Sequence, residues 1–334
     1  MRPTALAQLR FPVEPEQLEA GSFAAEVVAG LSAKPKRLPP KFFYDSAGSD
    51  LFERITALPE YYPTRCELSI LRERAGEIAA LISAGAALIE FGSGSSTKTR
   101  TLLGAARELA AYVPVDISAE FLDAQADSLR REYPAIAMLP VAADFSAPFD
   151  LPRAVSNLPR AGFFPGSTIG NLEPHDAAAF LRQAGKILGA GGVFVVGVDL
   201  LKDEDVLHDA YNDSAGVTAA FNRNVLVRIN RELGASFDLA SFEHHAFFNR
   251  ELHRIEMHLA SLKRQRISVC GANVEFRAGE TIHTENSYKY TVESFQCLAR
   301  SVGWTPLTVW TDSKKYFSVH VLKYGGEAGR HSPR

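Results

Sequence analysis

Ala87-Leu88-Ile89-Glu90-Phe91-Gly92-Ser93-Gly94-Ser95-Ser96-Thr97-Lys98 is the stretch that decides the fold. Its first five residues read as a buried strand that stops at Gly92. Gly92 and Gly94 then let the backbone approach a ligand closely, and a helix expected over Thr97–Ala111 offers the free N–H groups of its first turn. Outward from this point, Tyr112–Val115, Ile136–Val141, Ala161–Phe164 and Val193–Val198 read as further short apolar strands. Helical patterns over Ser118–Glu132 and His175–Leu188 separate them, the second stopped by Gly189 and Gly191. This alternation predicts βαβ units, hence an α/β fold with a mostly parallel sheet covered by helices on both faces. Leu307–Trp310 and Phe317–Leu322 complete it as an edge hairpin.

Three successive strand ends point at one nucleoside. Gly92-Ser93-Gly94 follows the first strand. Asp116 ends the second, where an acid can bind the two hydroxyls of a ribose. Asp144-Phe145 follows the third, where a carboxylate can meet an adenine amino group and an aromatic ring its face. Thr97 stands where a dinucleotide fingerprint carries its third glycine, and it also precedes Lys98 where a P-loop needs glycine. An E-x-G-x-G strand end suits S-adenosylmethionine, whose sulfonium and amino-acid tail need no pyrophosphate cradle.

Residues 201–288 break the rhythm. Val217–Leu233 reads as a helix with Phe221, Val225 and Ile229 on one face and Gly234 as its stop. Arg254–Leu259 alternates, with Ile255, Met257 and Leu259 on one side and Arg254, Glu256 and His258 on the other. Ile267–Cys270 and Val274–Phe276 flank Gly271-Ala272-Asn273 as a hairpin. A second, α+β domain is therefore expected from residues 1–63 and 200–288, beside a nucleoside-binding domain of 64–199 and 289–324, with a loose tail at 325–334.

Lys and Arg number 36 against 39 Asp and Glu, a net charge of −3. That balance gives no support to a nucleic-acid or anionic-membrane partner. The N-terminus lacks the apolar core of a signal peptide, and no apolar run is long enough for a membrane span. Cys66, Cys270 and Cys297 are odd in number and scattered, against a disulfide framework or a cysteine zinc site. These features read as a cytoplasmic, reduced protein, expected as a monomer.

Longer blocks carry a resemblance. Lys41-Phe42-Phe43-Tyr44-Asp45-Ser46-Ala47-Gly48-Ser49-Asp50-Leu51-Phe52, Leu58-Pro59-Glu60-Tyr61-Tyr62-Pro63-Thr64-Arg65, Gly166-Ser167-Thr168-Ile169-Gly170-Asn171, Ala210–Leu226 and Thr284–Tyr290 join Glu90–Arg100, Pro114–Ser118 and Arg254–Leu259. Together, over roughly residues 30 to 323, they resemble the L-histidine Nα-methyltransferases of ergothioneine biosynthesis. The resemblance implies a Rossmann-like class I methyltransferase domain with a substrate-binding second domain. It also implies S-adenosylmethionine as methyl donor and trimethylation of the α-amine of histidine to hercynine. Gly92, Lys98, Asp116, Asp144 and Phe145 match cofactor-binding positions, with Gly94 in the same loop. Tyr61, Asn171, Tyr211 and the segment Glu285–Ser287 match histidine-binding ones, and Tyr44 matches a tyrosine lining the amine side. Tyr44, Asn171 and Tyr211 are thus the residues expected at the reacting amine.

Read as chemistry, Asn171 and Tyr211 are neutral hydrogen-bonders for a substrate carboxylate and amine. Glu285 can accept from an imidazole N–H, Ser287 can bond the other ring nitrogen, and Met257 can pack on the ring. Tyr62 reads as a packing residue. Asn286 departs from the small apolar residue of some relatives, and an extended segment turns it away from the ring. A same-fold enzyme acting on another amino acid, such as tryptophan, stays open, with Glu285 and Met257 discriminating. A non-catalytic adaptor is disfavoured by the substrate-side residues. His244, His245, His253 and His258 with Glu251 and Glu256 form no helical His-x-x-x-His pair, and no metal is expected.

Overall fold

The computed structural model describes residues 19, 21–94 and 96–326. Nearly all of the expected tail at 325–334 lies outside them. The chain divides into two compact units, one drawn from the described parts of Met1–Gly48, Ala219–His245 and Met257–Glu285, the other from Ser49–Thr218, Ala246–Glu256 and the described part of Asn286–Arg334.

The larger unit is built on one sheet in the order Trp304–Thr311, Phe317–Tyr324, Val193–Asp199, Arg160–Phe164, Ala87–Phe91, Ala111–Asp116 and Ala137–Met138. Ala87–Phe91 runs parallel to both neighbours, and Phe317–Tyr324 returns antiparallel along Val193–Asp199. Period-two alternation sorts its side chains onto two faces. Ala87, Ile89, Phe91, Val113, Val115, Phe164, Phe194 and Val196 join one buried cluster. Leu88, Tyr112, Phe163, Val195, Phe317 and Val319 join the other. Both faces are covered, which is why the central strands are continuously apolar. This is the expected α/β architecture with a mostly parallel sheet.

Two elements depart from expectation. The first helix is Ser96–Ala105 rather than Thr97–Ala111. The sheet claims the following backbone, since Ala110 N–H donates to the Ala86 carbonyl at 3.0 Å and Ala111 opens a strand. The third strand is split into Ala137–Met138 and Val141–Ala142, because Pro140 has no N–H to continue the ladder.

A four-stranded sheet has the order Lys36–Arg37, Thr281–Tyr288, Arg254–Ser261 and Phe242–Asn249. In the smaller unit, Gln265–Val269 pairs antiparallel with Ala272–Phe276. The turn is Cys270-Gly271, at φ 45° and 76°, one residue earlier than expected. Two successive left-handed residues match the right-handed twist of a two-residue hairpin. Helix Val217–Leu233 has its expected bounds and ends at Gly234, φ 62°. Among the described residues no helix is long and apolar enough to cross a membrane.

Candidate active site

The glycine loop is pinned to the neighbouring strand. Gly92 and Ser93 N–H both donate to the Val115 carbonyl, at 2.8 and 3.2 Å. Gly92 has φ 73°, and a Cβ there would stand 3.2 Å from Phe145 Cε1. Phe145 in turn packs edge-on against Phe164 and Phe180, with ring centroids 5.5 and 5.6 Å away. Below the loop, buried Glu90 accepts from Tyr112 Oη at 2.6 Å and Thr99 Oγ1 at 2.8 Å. Burial nevertheless pushes its carboxyl up to about 7, outweighing these hydrogen bonds and nearby Lys98.

Asp116 is half-buried at the end of its strand, where its carboxylate accepts from Ser118 N–H at 3.0 Å. Burial raises its pKa against the lowering effect of the Ser118 and Ile117 backbone N–H groups. Asp144 Oδ1 accepts from Ser146 N–H at 2.9 Å. The Gly94 carbonyl accepts from the Gln125 side-chain amide. Lys98 pairs with Glu67, Nζ to Oε2 at 2.6 Å. Glu67 also accepts the Gly166 N–H, at 2.8 and 3.1 Å to its two oxygens, and so ties helix Tyr62–Ala80 to the loop after the fourth strand.

Elsewhere in the larger unit, Arg65 fixes the turn before Tyr61 by donating to the carbonyls of Leu58, Pro59 and Tyr61 at 2.7, 2.6 and 3.0 Å. Asn171 ends a 3-10 turn, Thr168–Asn171, held close to the strand carrying Tyr288. A Cβ on Gly170 would meet the Tyr288 carbonyl at 2.8 Å, so only glycine allows this approach. Glu173 locks the same turn, accepting from Asn286 Nδ2 at 2.9 Å, Arg254 Nη1 at 3.0 Å and Tyr288 Oη at 2.5 Å. The Asn286 amide nitrogen is thereby engaged by Glu173, while its Oδ1 is buried without a hydrogen-bond partner. Arg254 and Glu256, expected on a polar strand face, are both buried because they pair with each other, Nε to Oε1 at 2.8 Å.

Tyr211 and Ser287 are brought together. Tyr211 Oη donates to Ser287 Oγ at 2.7 Å. Lys289 Nζ donates to both, at 3.2 and 2.7 Å, and to Asp199 Oδ2 at 2.7 Å. The other Asp199 oxygen receives Lys202 Nζ at 2.6 Å. Tyr62 Oη donates to Asp199 Oδ2 at 2.8 Å and accepts from Lys202 at 2.7 Å, so Tyr62 is a polar anchor rather than a packing residue. The two lysines hold the Asp199 carboxyl below the usual range although burial opposes them. Burial pulls Lys202 down to about 8 despite the Asp199 charge.

In the smaller unit, Tyr44 packs edge-on against Phe221 with centroids 5.6 Å apart. Met257 and Glu285 are buried on adjacent strands, and the Met257 carbonyl accepts from Thr284 Oγ1 at 3.0 Å. His258 stacks on His283 at 4.5 Å, while His244 Nδ1 lies 2.9 Å from Asn222 Nδ2. In the larger unit, His253 precedes strand Arg254–Ser261 in a turn at φ 51°.

Residues 23–324 match the family described as histidine-specific methyltransferase, SAM-dependent. The chain belongs to this family. It is 45% identical over 311 residues to the Histidine N-alpha-methyltransferase of Mycolicibacterium smegmatis, covering 90% of this chain and 95% of that one. With the Histidine N-alpha-methyltransferase of Mycobacterium tuberculosis it shares 43% over 314 residues, covering 91% and 96%. The Ergothioneine biosynthesis protein 1 of Neurospora crassa is 31% identical over 310 residues, covering 86% of this chain and 33% of that longer protein.

The residues present fit the family's cofactor, S-adenosylmethionine. The space beside Phe145 is one that a Gly92 side chain would fill. Asp116 keeps a half-buried carboxylate at the second strand end, an acceptor suited to paired hydroxyls. Reasoning from sequence missed Glu67, Asp199, Lys202 and Lys289. Two signals were present: Asp199 closes the apolar run Val193–Val198, and Lys289 lies two residues beyond Ser287, on the same side of an extended chain.

Proposed function

We propose that this chain transfers methyl groups from S-adenosylmethionine to the α-amino nitrogen of L-histidine, ending at the trimethylated betaine hercynine, the first step of ergothioneine biosynthesis. The observation that carries this reading is the match along nine-tenths of the chain to the mycobacterial histidine N-alpha-methyltransferases. When bound, S-adenosylmethionine supplies an activated methyl group on a sulfonium. Gly92, Gly94, Lys98, Asp116, Asp144 and Phe145 are the residues that would hold it.

The remaining work is positioning and proton handling, which supply much of the rate of an in-line displacement. A reactive α-amine must be neutral, and its pKa is about 8 in peptides. Asn171 and Tyr211 orient the amino-acid end through neutral hydrogen-bonding groups, with Tyr44 lining the amine. Glu285 accepts an imidazole N–H and Ser287 bonds the other ring nitrogen; their i, i+2 spacing in strand Thr281–Tyr288 supports a shared task. A ring read at both nitrogens is distinguished from isosteres that lack them. Tyr61 and Met257 supply the apolar contacts. Segments 1–63 and 200–288 would contribute most substrate-side residues, and 64–199 with 289–324 the cofactor side.

The reading includes a monomeric enzyme of the cytoplasm; the free thiols of Cys66, Cys270 and Cys297 support a reducing compartment. Incubation with S-adenosylmethionine and a mixture of amino acids, followed by mass spectrometry and NMR, tests the function. The expected product is histidine with three methyl groups on the α-nitrogen. Methyl on the imidazole would overturn the orientation, and preferential consumption of tryptophan would overturn the substrate. Light scattering reads the oligomeric state.

A further inference from the structure

The buried ammonium behind Tyr211 and Ser287 has no role in the reading above, and hydrogen-bond counting gives it one. Ser287 Oγ has two lone pairs and one proton. One lone pair takes a Lys289 N–H at 2.7 Å and the other takes the Tyr211 hydroxyl at 2.7 Å. Both acceptor sites of the serine are filled from inside the protein. Its own proton is the remaining capacity, and it points away from Lys289 and Tyr211.

The arrangement that enforces this is rigid. Ser287, Lys289 and Asp199 are all buried, and the Lys289 side chain is fully enclosed. Its three protons are committed, to Asp199 Oδ2, Ser287 Oγ and Tyr211 Oη. Asp199 is itself fixed by Lys202, by Tyr62 and by its backbone N–H on Ser167 Oγ at 2.9 Å.

We propose that Lys289, held by Asp199, is a positioning residue that makes Ser287 an obligate hydrogen-bond donor, so that the site selects a ring whose facing nitrogen is an unprotonated acceptor. This deepens the histidine reading and rests on it. An imidazole presents one N–H and one bare nitrogen only when neutral. A serine locked as donor therefore favours the neutral ring over imidazolium, and it favours the tautomer whose bare nitrogen faces Ser287. Without Lys289, the hydroxyl protons of Ser287 and Tyr211 would be free to turn either way, and a wrongly turned serine opposes the ring nitrogen with a lone pair.

The test is a double-mutant cycle read by calorimetry of L-histidine binding in the presence of S-adenosylhomocysteine. Parent, Lys289→Met, Ser287→Ala and the double variant are compared. Lys289→Met should weaken histidine binding about 10–100-fold, the size of a lost hydrogen bond to a charged or oriented partner. In the Ser287→Ala background the same change should alter binding by no more than about 2-fold, because its route of action is already gone. S-adenosylhomocysteine affinity should stay the same in all four. An equal loss in both backgrounds would make Lys289 merely structural and overturn the proposal, as would unchanged histidine binding in Lys289→Met. Lys289→Leu, which likewise removes every N–H donor to Ser287 and Tyr211, gives the same cycle if the methionine variant does not fold. A parent that binds cofactor product but no histidine overturns the substrate reading instead.

Discussion

Glu67 Oε2 and Lys98 Nζ lie 2.6 Å apart, with the Glu67 side chain almost wholly buried. The carboxylate also serves Gly166 N–H, so one side chain joins the first helix after the glycine loop to the loop that leads to Asn171. Removing one partner of a buried pair leaves the other charge uncompensated. Glu67→Ala should therefore destabilise the fold by about 3–5 kcal/mol, measured by urea unfolding. Glu67→Gln keeps an acceptor for Gly166 and should lose less.

Asp116 separates binding from stability. Burial raises its pKa, so at neutral pH its charge is held at a cost in the ligand-free protein. Asp116→Asn keeps an acceptor for Ser118 N–H while removing that charge. The variant should melt no lower than the parent at pH 7.5 without ligand. It should bind S-adenosylmethionine about 10–100-fold more weakly by calorimetry, having lost a charge-assisted contact. Unchanged affinity would remove this strand end from the cofactor site.

Much of this arrangement is legible in the sequence where the governing rule is local. A short apolar run and a glycine stop mark Ala87–Phe91 and Gly92, and i, i+4 spacing marks Val217–Leu233. The Pro140 break is equally local, because proline has no N–H to give the ladder. The Cys270-Gly271 turn needed a non-glycine residue in the left-handed region, which composition does not announce. Partners distant in the chain are a different matter. Glu67 meets Gly166 across 99 residues and Lys289 meets Asp199 across 90. Nothing local distinguishes such an acid or lysine from a solvated one; only the sheet order brings them together.

Glu90 makes stability pH-dependent in a definite direction. Its folded pKa, about 7, lies above the ordinary value of 4.5. Its contribution is fully present below about pH 4.5 and is lost as pH rises through about 7. Glu90→Gln removes the titration and can still accept from Tyr112 and Thr99. The stability of Glu90→Gln relative to the parent should rise between pH 5 and pH 8, by on the order of 2–3 kcal/mol. Urea unfolding at the two pH values reads the difference, and a pH-independent gap would show that Glu90 does not titrate in this window.

Glu285 and Met257 are the residues proposed to read the substrate ring. A carboxylate with little solvent contact is costly beside an apolar ring and favourable beside an imidazole N–H. Glu285→Ala should lower kcat/KM for histidine by about 10–100-fold through the loss of a charged acceptor. The same change removes the penalty against a ring without that N–H. Met257→Val then shortens a buried side chain and leaves space beside the ring. The double variant should shift its preference from histidine toward tryptophan, measured as the ratio of kcat/KM for the two in competition. If the double variant kept the parent's preference, neither residue would read the ring. Ser287, oriented by Lys289, would then be the remaining imidazole-reading group among those proposed, and the Ser287→Ala ratio would have to collapse in its place.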